Sequence, residues 1–105
     1  MVTKAASYDK PGILTLADNK PVVYRIQDQR GKDNFVGVAK RGRTSDRIAE
    51  HLGCVPGSVV RITQYDSLED AMAASQRIIN RCQPKYNRKN WLGQYSRVRQ
   101  VDSDA

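Results

Sequence analysis

The chain has 105 residues, a formal net charge of +7 and seven aromatic side chains, which fits one domain with a thin core. It contains no run of ~18 apolar residues, so no membrane span is expected. The opening MVTKAASYDKPG lacks the apolar middle of a secretory signal, so the expected location is cytoplasmic. Cys54 and Cys82 have no C-x-x-C spacing and read as two reduced, partly buried thiols rather than a disulfide or metal site.

Residues 1–11 are polar and read as a loose N-terminus. Gly12-Ile13-Leu14-Thr15-Leu16 reads as an additional strand, and residues 17–21 turn it back. Val22 to Gln27 is rich in β-branched and aromatic residues and reads as a strand. Residues 28–33 are polar, carry Gly31 and read as a turn. Asn34 to Val38 forms the second arm of the hairpin. Lys40, Arg41 and Arg43 then surround Gly42. Thr44 or Ser45 caps a short helix with Asp46 in its first turn. Ile48, Ala49 and Leu52 form its apolar stripe, and Gly53 stops it. Arg47 and His51 are four residues apart and share one face.

Pro56-Gly57 marks a turn before a third strand, Ser58 to Tyr65, with Arg61 toward solvent. Asp66 to Cys82 is the clearest helix. Ser67 and Asp70 have capping-box spacing. Leu68, Ala71, Met72, Ser75, Ile78, Ile79 and Cys82 fall on one face. Ser75 is the polar member, expected to bond its hydroxyl back to the helix. Pro84 ends the helix. Tyr86 and Asn87 lie in a turn, and Asn90 to Val98 forms a last short helix or an extended arm. The organisation is therefore a single domain, 1–105, with its core over 12–87 and a basic C-terminal arm or helix over 88–105.

Charge is uneven along this plan. Residues 71–101 hold seven Lys and Arg and no acid. Such a one-signed segment favours a polyphosphate partner. Tyr86, Trp91 and Tyr95 interleave with the cations and are suited to stacking on bases.

Val22-Val23-Tyr24, followed after ten residues by Phe35-Val36-Gly37, resembles the signature of the GIY-YIG nuclease family. Arg47 with His51 resembles its first-helix pattern. Residues 67–87, ending in Pro84-Lys85-Tyr86-Asn87, are similar to its third-helix pattern with the closing P-x-Y-N. The resemblance implies an α+β fold. Its small antiparallel sheet has three strands, or four with an N-terminal strand, and is flanked by helices. It also implies a divalent metal on a third-helix Glu, a Tyr hydroxyl that helps generate the attacking water, and an Arg that stabilises phosphate charge.

Carried over, Tyr24 matches the tyrosine of the first triplet, Arg47 the arginine, His51 the histidine and Asn87 the closing asparagine. Two positions depart. Phe35 replaces the second tyrosine, and Ser75 falls at the metal-binding glutamate. A neutral hydroxyl is a weak ligand for Mg²⁺. Losing the metal seat and the phenol together removes groups that act as a unit.

The expectation is therefore a nucleic-acid-binding module, most readily for DNA, without cleavage and without a cofactor. Lys40, Arg41, Arg43, Arg47, Lys85, Arg88 and Lys89 would contact phosphates and Trp91 would stack. Two alternatives stand beside it. One is a Mg²⁺-dependent phosphodiesterase with a rearranged site that recruits Glu50 or a partner's ligand. The other is a protein-interaction or inhibitor module using the basic face. Each matching residue also has a structural role available. Tyr24 packs in the core, Arg47 pairs with Glu50 or Asp46, His51 favours the helix dipole and Asn87 holds its own turn.

Overall fold

The structure, a computed structural model, describes residues 3–87. Four strands form one antiparallel sheet. They are β1 (Thr3–Ser7), β2 (Val22–Gln27), β3 (Asp33–Ala39) and β4 (Val59–Gln64), in the spatial order β1-β4-β2-β3. The helices are α1 (Lys10–Ile13), α2 (Thr44–Ala49) and α3 (Leu68–Cys82), and a 3-10 turn spans Lys85–Asn87. Among the described residues no helix is long and apolar enough to cross a membrane.

Strand alternation gives the sheet two different faces. Val22, Tyr24, Ile26, Phe35, Ala39, Val60 and Ile62 point one way and meet Ile13, Leu16, Ile48 and Val55. Val23 and Val36 point the other way and meet Ala71 and Ala74 of α3. The expected hairpin, short helix, third strand and long helix are all present. Ser67 caps α3 by accepting from Asp70 N at 3.1 Å, and Gln83 ends it in the left-handed region at φ 45°.

Four local expectations need correction. Residues 3–7 are not loose, because Thr3–Ser7 pairs along β4. Gly12–Leu16 is not the extra strand. Asp9 caps a single helical turn there, accepting from Gly12 N at 2.8 Å, with Pro11 at its start. Ile13 and Leu16 are both buried, a three-residue spacing that suits the turn and not a strand. Both cysteines are exposed instead of partly buried. The apolar stripe of α3 is rotated toward Ala74, leaving Met72 42% exposed and Cys82 outside.

The cap of α2 also differs from expectation. Arg43 holds the cap position without a side-chain bond, and Thr44 is the first helical residue. Asp18, from the loop before β2, accepts from Thr44 N at 2.8 Å and takes over the capping role from a distance.

Candidate functional site: a sealed tyrosine–histidine cluster and an exposed basic loop

β2 turns Tyr24 onto the face covered by α1 and α2. The turn after α2 delivers His51 to the same place. Tyr24 Oη and His51 Nε2 are hydrogen-bonded at 2.7 Å. The Phe35 ring lies 4.4 Å from the His51 ring and 6.2 Å from Tyr24, centroid to centroid. Tyr24 is 2% exposed and His51 4%. Burial, with a smaller contribution from the Arg47 charge, lowers the His51 pKa from 6.5 to about 4, so its ring is neutral at pH 7. Gly37 is directly opposite Tyr24 on β3. A Cβ placed there would sit 2.5 Å from Tyr24 Cζ and Oη, so the ring lies flat over bare backbone. The phenol is therefore enclosed by His51, Phe35 and the β3 backbone.

Arg47 lies in α2, whereas His51 lies in the turn beyond its end, so the helix stops short of the face that their spacing predicted. The Arg47 side chain is only 7% exposed, and the guanidinium pairs with Glu50 three residues on. Asn87 does not hold its own turn. Its Oδ1 accepts from Val36 N at 2.8 Å and its Nδ2 donates to Val36 O at 3.0 Å. The side chain thus mimics a neighbouring strand and pins the 3-10 turn to the edge of β3. Ser75 lies on α3 beyond the opposite face, and its hydroxyl donates to Met72 O at 2.8 Å, back to its own helix.

The cations occupy different ground. Lys40, Arg41 and Arg43 form the loop from β3 to α2 around Gly42 at φ 85°. Arg41 is exposed, Lys40 and Arg43 are partly so, and Arg43 lies 3.6 Å from Asp46 as a loose ion pair. Lys85 is exposed, with its Nζ 5.7 Å from the Tyr86 ring centre. Arg88, Lys89 and Trp91 lie outside the described residues.

One polar cluster was not legible in the sequence. Between Ile26 and Gln27 the β2–β3 register shifts, so Gln27 pairs with Asp33. The bulge turns the Asp33 carboxylate onto the α3 side of the sheet. There it accepts from Arg25 Nε and Nη2, at 3.1 and 2.8 Å, and from Gln27 Nε2 at 2.8 Å. Gln27 Oε1 in turn accepts from Arg61 Nε at 2.9 Å. Charged residues in the middle of strands were the available signal; the bulge that joins them had none.

No protein-family model and no curated protein matches this sequence. Solved structures do. The GIY-YIG N-terminal endonuclease domain of UvrC from Thermotoga maritima, bound to its catalytic magnesium, superposes with a TM-score of 0.58 at 24% identity, covering 72% of this chain and 91% of that one. A tyrosine-to-phenylalanine mutant of that domain gives a TM-score of 0.58 at 25% identity, with the same coverage. An asparagine-to-alanine mutant gives 0.59 at 23%, over 73% of this chain and 91% of that one.

Those domains hold a divalent cation, but the donors of this chain do not fit one at the corresponding helix. The Ser75 hydroxyl is neutral and spends its proton on Met72 O. Glu69 and Asp70 sit exposed in the first turn of α3, a turn or more away. Mg²⁺ requires carboxylates and water in near-octahedral array. The chain has the GIY-YIG endonuclease-domain fold, with Tyr24 and His51 buried beneath its helices.

Proposed function

We propose that this domain binds nucleic acid and does not cleave it by a metal-dependent route. The observation that carries the reading is the separation of its groups. The tyrosine and histidine suited to chemistry are sealed under α2, whereas the basic loop at residues 40–43 stands open. A phosphodiester cannot reach a phenol that is 2% exposed and already bonded to a neutral imidazole. It can reach Lys40 and Arg41. Arg47 is left out of the contact set, because its guanidinium is buried and paired with Glu50. Lys85, Arg88, Lys89 and Trp91 extend the contact set along the basic C-terminal segment.

Contacts of this kind position a backbone without reading sequence, and they weaken steeply with salt. Fluorescence anisotropy with labelled duplex DNA and with RNA, from low to moderate salt, tests the reading. The double variant Lys40→Ala/Arg41→Ala should bind more weakly on every sequence and lower the log–log salt slope by about 2. Absence of binding to either nucleic acid at low salt overturns the reading.

A further inference from the structure

The α3 side of the sheet is only half covered. Among the described residues α3 packs on β2 and β3, and Thr3, Ala5, Ser7 and Arg61 of β1 and β4 are exposed on that side. The open half presents Thr3, Ala5 and Ser7 of β1 beside Thr63, Arg61 and Val59 of β4. Thr3 and Thr63 confirm the shared side, with their hydroxyls 3.1 Å apart. The surface is flat and made of small side chains, and Arg61 rises from its middle.

Arg61 has an unusual neighbour. It stands directly opposite Arg25 across the β2–β4 pair. Like charges in that position destabilise a sheet. Here the arrangement is supported from below. The bulge brings in Asp33, whose carboxylate is 4% exposed and neutralises Arg25. Because Gln27 Nε2 is committed to Asp33, its Oε1 faces Arg61 and holds Arg61 Nε. No acid pairs with Arg61 among the described residues. Its guanidinium is fixed at one nitrogen, exposed, and has donors left to form a fork. Farther along, Arg77 of α3 lines a cavity of about 390 Å³ with Gln64 and Tyr65, but Asp66 and Asp70 line it too, so Arg61 is the cation on this side with no carboxylate beside it among the described residues.

We infer that this open half-sheet, centred on Arg61, is a second phosphate-binding face that takes nucleic-acid backbone. The inference rests on the nucleic-acid reading above but not on its basic loop, which follows Ala39 beside the start of β2, whereas Arg61 stands opposite Arg25. An oriented guanidinium over a flat floor of small residues admits a phosphodiester with two parallel N–H···O bonds. With no aromatic among the described residues of this floor, recognition is of the backbone and not of bases. Gln27 and Asp33 are positioning residues that act through Arg61.

The test uses the full chain labelled with ¹⁵N and titrated with a 12-nucleotide oligothymidylate, with pyrophosphate as a base-free probe. The Arg61 Nε–H resonance should shift with both. Arg61→Gln should weaken oligonucleotide binding about fivefold and lower the salt slope by about 1. Arg61→Lys should keep the slope and lose part of the affinity, since it retains charge without the fork. Gln27→Leu should also weaken binding in part, a change that thermal stability alone would not produce. If Arg61→Gln changes neither affinity nor slope while Lys40→Ala/Arg41→Ala abolishes binding, this inference falls and the proposed function stands. If the oligonucleotide leaves the wild-type spectrum unchanged and polyglutamate shifts Arg61, both fall, and the face belongs to an acidic protein.

Discussion

The two faces of the sheet use polar residues in opposite ways. Under α1 and α2, a tyrosine, a histidine and an arginine are drawn into an apolar cluster, and each is closed off by a neighbour. On the α3 side, a buried aspartate and a glutamine hold an arginine outward to water. Of the residues that resemble the nuclease signature, the first face carries Tyr24, Phe35, Arg47 and His51, and encloses them. The second carries only Val23 and Val36 of them, yet it holds an exposed guanidinium, that of Arg61. A motif therefore locates residues in the fold, while exposure and pairing decide what they can do.

The sharpest way to break the closed face is at Gly37. In Gly37→Ala the new Cβ meets the Tyr24 ring, and that ring cannot swing away because His51 holds its hydroxyl. The expected loss is about 3 kcal/mol, measured by denaturant unfolding. Retention of wild-type stability would mean that the ring moves freely.

Acid should open the same face. The folded-state pKa of His51 is depressed from 6.5 to about 4, so folding favours the neutral ring. Its contribution is fully present above pH 6.5 and is lost as pH falls toward 4, to a total of about 3 kcal/mol. A His51→Phe variant should flatten stability between pH 6.5 and 4. An unchanged slope in that variant would contradict the assignment.

Asn87→Ala removes both bonds to Val36 and unpins the turn after α3 from β3. A loss of about 2 kcal/mol is expected, with faster hydrogen exchange at Val36 N. The smallest effect belongs to Ser75→Ala. Its hydroxyl bonds only to its own helix, so stability should move by less than about 0.5 kcal/mol, and nucleic-acid affinity should not change. A loss of Mg²⁺ response in that variant would instead place Ser75 in a metal site.

The central elements were legible because local patterns agreed with the tertiary result. Val22–Gln27 and Val59–Gln64 have β-forming side chains, and α3 has a cap, a stripe and a proline stop. β1 was missed because TKAAS is a polar edge strand that shows no alternation. The α1 turn was misread because GILTL looks like a strand until Asp9 and Pro11 are seen to start a helix. At the site, Tyr24 lies on the expected strand and Arg47 in the expected helix, while His51 lies just beyond it. Their burial was not visible, because it depends on Phe35, Val55 and α1 arriving from distant positions. The Arg25–Asp33–Gln27–Arg61 chain was hidden for a related reason: one bulge decides which side of the sheet Asp33 faces.

The central claim is that this chain keeps a nucleic-acid surface and has enclosed the groups needed for cutting. One assay addresses both halves: end-labelled DNA incubated at low salt with Mg²⁺ or Mn²⁺, resolved in parallel on native and denaturing gels. The account predicts a retarded complex that dissolves as salt rises, and full-length strands throughout. Metal-dependent cleavage that disappears in Arg47→Ala would contradict it.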